Sequence, residues 1–169
     1  MVTSFKQTLI STMTKSILEP HNISRFLELS TVISTWSKDP STKVGSVLIT
    51  LDGKTASTGY NGLPYSLDDE LIHDRDFKLE NVIHAEMNAI ANRYLFNEPC
   101  ILFVSKPICT DCVKLVTAHR FIKGVCWLND IEFAQRWNVN KSVEMLERHF
   151  KSKLVITPEY SYIINETDK

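Results

Sequence analysis

The residues best equipped for chemistry fall in two short stretches of this chain. His84-Ala85-Glu86 and Cys109-Thr110-Asp111-Cys112 supply an imidazole, a carboxylate and two thiols. One histidine and two cysteines can hold a zinc ion through three ligands and leave its fourth position to water. Zinc bound this way lowers the pKa of that water towards neutrality. A carboxylate that is not itself a ligand can then carry the water's protons. His84, Cys109 and Cys112 are therefore the candidate zinc ligands, and Glu86 is the candidate catalytic proton shuttle. Neither C-x-x-C nor His-x-Glu is specific alone. Together they are, with a strand before the cysteines and a helix after each half.

Each group also has an ordinary reading. His84 by itself would more often be a surface or hydrogen-bonded histidine. Glu86 alone would suit a solvated first helical turn, stabilised by the helix dipole. The two cysteines alone would suit a redox pair, although no Trp-Cys-Gly context supports one. Cys100 and Cys126 lie in apolar runs and are read as core. Trp36, Trp127 and Trp137 are read as core or interface, and Asp68, Asp69 and Glu70 as a solvated loop face. His21, His119 and His149 receive no role.

The elements that must position these groups follow from periodicity. Phe26, Leu29, Ile33 and Trp36 recur at spacings of three and four, which predicts a helix from about Ser24 to Trp36, capped by Asn22 or Ser24. Lys43 to Thr50 is β-branched and apolar, and Asp52-Gly53 carries a hairpin signal towards a return strand from Thr55 to Tyr60. Gly59 to Pro64 is a turn-rich loop, and Tyr65 to Asn81 is a polar loop without clear period, suited to substrate contacts. Further on, helices are predicted over Ala85 to Tyr94, Cys109 to His119 and Lys141 to Phe150. Strands are predicted over Cys100 to Ser105, Gly124 to Leu128 and Lys153 to Thr157. This alternation predicts a layered α/β fold. Residues 1–20 read as an N-terminal extension, 21–157 as one domain and 158–169 as a C-terminal tail. Each half of the chemical kit opens a predicted helix, where free N–H groups and the dipole favour a thiolate, the form that binds metal.

Composition narrows the partners. The chain has 169 residues, 19 basic and 20 acidic, for a net charge of −1. A small polar substrate suits that balance better than a polynucleotide, for which a basic stripe would be expected. No run of eighteen apolar residues predicts a membrane span, and no signal-peptide pattern precedes the domain, so a cytoplasmic, intracellular location is expected. In such a compartment four cysteines predict metal or redox chemistry rather than two disulfides.

The segment His84-Ala85-Glu86-Met87-Asn88-Ala89-Ile90 and the strand followed by C-x-x-C resemble the cytidine/deoxycytidylate deaminase superfamily. Ser37-Lys38-Asp39-Pro40-Ser41-Thr42-Lys43-Val44-Gly45 and Gly59-Tyr60-Asn61-Gly62-Leu63-Pro64 are similar to deoxycytidylate (dCMP) deaminases in particular. The resemblance spans residues 24–157. It implies a three-layer α/β/α cytidine deaminase-like fold with a mixed, roughly five-stranded sheet, usually in a homo-oligomer. It implies a Zn2+ cofactor and hydrolytic deamination of dCMP to dUMP and ammonia, which feeds thymidylate synthesis. It also implies that Asn61 bonds the sugar hydroxyl and that the Ala85 N–H meets the pyrimidine carbonyl. Lys43 and Ser105 are the candidates for phosphate or base contacts. Two departures stand out. Ile108 precedes the first cysteine where the family usually has proline, with Pro107 one residue earlier. Leu67 stands where relatives often have a small residue or cysteine, in a loop that serves control by dCTP and dTTP in larger relatives. His73 stands alone there, so neither that control nor a second zinc is carried over. Alternatives remain: a deaminase of cytidine, modified dCMP or a polynucleotide base, or a non-catalytic zinc module of the same fold. The module would have a closed four-ligand site, with Cys100 or His119 as the possible fourth ligand.

Overall fold

The structure is a computed structural model, and it describes residues 16–93 and 98–165. The helix α1 spans Pro20–Ser34 and begins earlier than its apolar stripe suggests. Pro20 occupies its first turn, where the missing N–H costs nothing and the fixed φ suits the helix. Neither Asn22 nor Ser24 caps it. Strand β1 (Gly45–Thr50) turns at Asp52-Gly53, with Gly53 at a φ of 84°, into β2 (Thr55–Tyr60). The expected loop from Tyr65 to Asn81 instead contains a 3-10 helix, Asp69–His73, and helix α2, Arg75–Asn81. Both start on aspartate caps: Asp68 accepts from the Glu70 N–H, and Asp74 from those of Asp76 and Phe77. These elements are too short for a period to show.

Helix α3 (Ala85–Ala91), strand β3 (Cys100–Val104), helix α4 (Thr110–Ala118) and strand β4 (Ile122–Leu128) follow at the expected places. The end of the helix predicted to Tyr94 reaches residues outside the described set. A short helix α5 (Ile131–Arg136), unforeseen in the sequence, precedes α6 (Val139–Phe150). The predicted last strand shrinks to β5 (Val155–Ile156), whose two residues are exposed at the sheet edge. The stretch read as a tail instead supplies β6, Tyr160–Ile164, which pairs with β4 from Gly124↔Ile164 to Leu128↔Tyr160. Its run Tyr-Ser-Tyr-Ile-Ile has strong strand propensity, and pairing with β4 covers what would otherwise be an open apolar edge.

Among the described residues the sheet therefore has six strands, in the order β2-β1-β3-β4-β6-β5, with β3 and β4 parallel and the other pairs antiparallel. Strand alternation divides two apolar layers. Val47, Ile49, Ile101, Phe103 and Cys126 face α1, where Phe26, Leu27 and Ile33 cover them. Leu48, Leu102, Val104, Val125 and Trp127 face the opposite layer, with Ile90 of α3, Val113 and Val116 of α4, and Leu146 and Phe150 of α6. The result is the expected three-layer α/β/α arrangement, with one more strand. Ile17, placed by sequence reading in the extension, is buried in the α1 layer. Cys100 and Cys126 are core, as expected. Trp127 is buried, whereas Trp36 and Trp137 are exposed. Among the described residues no helix is long and apolar enough to cross a membrane.

Candidate metal centre and active site

The centre forms where two helices begin. His84 occupies the cap position of α3 and Cys109 that of α4, while Cys112 sits in the first turn of α4. The parallel pairing of β3 with β4 makes α4 a crossover, which returns it to the same face of the sheet as α3. His84 Nδ1 lies 3.2 Å from Cys112 Sγ and 3.4 Å from Cys109 Sγ. The three ligand atoms all lie within 4.8 Å of one another. A tetrahedral zinc with ordinary Zn–S and Zn–N lengths separates its nitrogen and sulfur ligands by about 3.5 Å. The donor set and spacing therefore fit zinc.

Electrostatics agree with that fit. The hydrogen bond with Cys112 and that with His84 hold the Cys109 thiol down to about 4, against burial. The hydrogen bond to Cys109 raises His84 to about 8, again against burial. The same bond to Cys109, together with burial, pushes the Cys112 thiol up. Zinc binds thiolate and neutral imidazole, so a cation binding here must release the protons these groups carry. Glu86 is buried one residue beyond Ala85, and burial, followed by the Cys109 charge, raises its carboxyl. A buried carboxyl raised in this way is suited to take a proton and hand it on.

Among the described residues no other histidine, cysteine or carboxylate joins the cluster. Cys100 Sγ donates to the Glu98 carbonyl, and His119 Nδ1 lies 2.8 Å from the Leu115 carbonyl. Neither therefore supplies the fourth ligand of a closed site. Ile108, standing in the usual place of proline, is fully buried in the same apolar layer and leaves the ligand spacing intact.

The other predicted contacts differ in what they have to offer. Ala85 is the first residue of α3, a position whose N–H has no partner within the helix. Asn61 is buried and heavily engaged. Its Oδ1 accepts from the Val44 N–H at 2.8 Å, and its Nδ2 donates to the Thr42 carbonyl at 2.9 Å and to Asp39 Oδ2 at 3.3 Å. Its backbone φ is not positive, so it does not serve as a left-handed turn residue. Ser105 Oγ accepts from the Gly45 N–H at 2.9 Å and ties the ends of β1 and β3 together. Lys43 is exposed just before β1, and its ammonium has no ion-pair partner among the described residues.

Sequence reading missed a buried node beside Asn61. Lys78 of α2 donates to Asp39 Oδ1 at 3.1 Å and to Ser41 Oγ at 2.6 Å. Asp39 also accepts from the N–H groups of Ser41 and Thr42. The Asp-Pro-Ser-Thr run is a turn signal that could have marked the aspartate, but nothing local marks Lys78 as its partner.

Residues 20–128 match the sequence profile of the cytidine and deoxycytidylate deaminase zinc-binding region. A probable deoxycytidylate deaminase of Caenorhabditis elegans is 33% identical over 147 residues, covering 83% of this chain and 73% of the relative. The deoxycytidylate deaminase of Mus musculus is 30% identical over 155 residues, covering 85% and 84%. The fold is similar to that of the dCMP deaminase of cyanophage S-TIM5 in complex with dCMP and dUMP. That similarity has a TM-score of 0.61 at 21% identity and covers 78% of this chain and 94% of that one.

Proposed function

This chain belongs to the cytidine and deoxycytidylate deaminase family, and we propose that it hydrolyses dCMP to dUMP and ammonia inside the cell. The observation that carries this reading is the cluster of His84, Cys109 and Cys112 with the buried Glu86 carboxyl beside it. Relatives named as deoxycytidylate deaminases, aligned over most of this chain, support the choice of substrate.

His84 Nδ1 and the sulfurs of Cys109 and Cys112 would hold the zinc, which when bound would supply an acidified, polarised water. Glu86 takes a proton from the attacking water, whose oxygen adds to the ring carbon bearing the amine. It delivers the proton to the neighbouring ring nitrogen, and carries a second proton to the departing amine. Water is consumed, the C–N bond breaks, and ammonia leaves. The Ala85 N–H receives the pyrimidine carbonyl. Lys43 offers its ammonium to the phosphate. Asn61 and Ser105 offer only what their internal bonds leave: one lone pair on the amide oxygen, and the hydrogen and one lone pair of the hydroxyl. Self-association, expected from the resemblance, has apolar surface to use, because Trp36 lies edge-on to Tyr60 and both are exposed.

The test is ammonia release from dCMP, deoxycytidine and dCTP, each given separately to the zinc-loaded protein. Turnover confined to dCMP is expected. Activity on deoxycytidine alone, or on none of the three, would overturn the substrate assignment.

A further inference from the structure

The cluster's two kinds of residue are held in place differently. His84, Cys109 and Cys112 are ligands, so a bound ion fixes their positions. Glu86 is not a ligand, and its carboxylate stands wherever helix α3 puts it. That helix is seven residues long, far too short to be stable by itself. Something else must hold it.

Beside the apolar packing of Ile90, the sheet does so through hydroxyls. Ser46, fully buried on β1, donates to the Ala85 carbonyl at 2.7 Å. Ala85 lies between His84 and Glu86. One turn further along α3, Ser57 of β2 donates to the Ala89 carbonyl at 2.5 Å. Between them lies Gly59, where an added Cβ would stand 2.3 Å from the Ala85 oxygen and 2.3 Å from the Ala89 nitrogen. The helix backbone therefore rests directly on the strand, and the two serines fasten the turn that carries Glu86. From the helix side, Asn88 Nδ2 donates to the Tyr60 carbonyl at 2.8 Å, which also covers the open edge of β2.

We infer that Ser46 and Ser57 are positioning residues for Glu86: their hydroxyls lock α3 to the sheet so that the proton carrier is aligned with a site whose two cysteine ligands, Cys109 and Cys112, come from α4. The inference rests on the reading of Glu86 as proton carrier. Losing these hydroxyls should therefore reduce turnover and leave the metal in place. Proton transfer depends steeply on geometry, since a misplacement of about 1 Å can cost roughly a hundredfold in rate.

The experiment compares the zinc-loaded wild type with Ser46→Ala/Ser57→Ala. Ser161→Ala serves as control, because Ser161 is also buried and bonded, to Asn129 Oδ1, but on the distant β6. Zinc content, kcat and KM for dCMP, and hydrogen exchange of the α3 amides are measured. The double variant is expected to keep one zinc per chain and a KM within about twofold, to lose about tenfold or more in kcat, and to exchange its α3 amides faster while those of β3 are unchanged. Ser161→Ala should keep its kcat. A double variant with wild-type kcat and wild-type α3 exchange overturns the inference, and so does an equal loss of kcat in Ser161→Ala. If the double variant does not fold, Ser46→Ala alone carries the same comparison. If the wild type does not deaminate dCMP, the substrate reading fails, and the exchange measurement decides the positioning role: faster α3 exchange supports it and unchanged exchange refutes it.

Discussion

Replacing Lys78 with methionine tests how the rim of the site is held together. The Lys78 and Asp39 side chains are only 11% and 4% exposed, and the ammonium bonds both Asp39 Oδ1 and Ser41 Oγ. Removing one partner of a buried ion pair typically costs about 3–5 kcal/mol, because the other charge stays buried. Asp39 keeps four donors after the change: the N–H groups of Ser41 and Thr42, the Ser41 hydroxyl and the Asn61 amide. The loss should therefore lie at the lower end, about 3 kcal/mol, or roughly 6–12 °C in Tm for a chain of this size. The pH dependence adds a second signature. Burial alone would raise the Asp39 carboxyl, but the Ser41 and Thr42 N–H groups, with Lys78, hold it below its ordinary range. A carboxylate lowered in the fold contributes stability above its unfolded pKa, and that contribution disappears as pH falls through the folded value. Lys78→Met lets the folded value rise, so the deficit should be full at pH 7 and narrow below about pH 4. Urea unfolding of both proteins at several pH values measures it. A deficit under about 1 kcal/mol at pH 7, or one that does not change down to pH 3, would refute the reasoning.

Three further substitutions test the centre and the core. Glu86→Gln should retain zinc and lose about 10²–10⁴ in kcat, read by ammonia release beside metal analysis; a zinc-loaded variant of normal activity would remove Glu86 from the mechanism. Cys109→Ala takes away the thiolate ligand and should leave the purified protein with well under one zinc per chain. One tightly held equivalent in that variant would contradict the ligand set. Ser142 carries the one buried side-chain polar atom without a hydrogen-bond partner among the described residues. Ser142→Ala should raise stability by about 1 kcal/mol, and a lower Tm would show that the hydroxyl has a partner.

The alternation of elements, the hairpin at Asp52-Gly53 and the placing of the cysteines at a helix start were all legible in the sequence, because each rests on local chemistry or a short period. The tail assignment failed because β6 is a five-residue run whose place is decided by its partner, β4. The expected loop from Tyr65 failed in another way, since its helices are shorter than the window in which a helical period shows.

For the candidate site, residue types and spacing alone named His84, Glu86, Cys109 and Cys112, because few donor sets suit a metal with an open position. Only the folded chain showed that Nδ1 is the nitrogen facing both sulfurs, and that Asn61 has most of its amide committed to the loop at residues 39–44. Lys78 meets Asp39, and Ser46 meets Ala85, each across 39 residues of sequence. Such pairs leave no local trace, because what joins them is the order in which helices and loops pack on the sheet. That order is set by which faces bury together, a property of the whole chain rather than of any one segment.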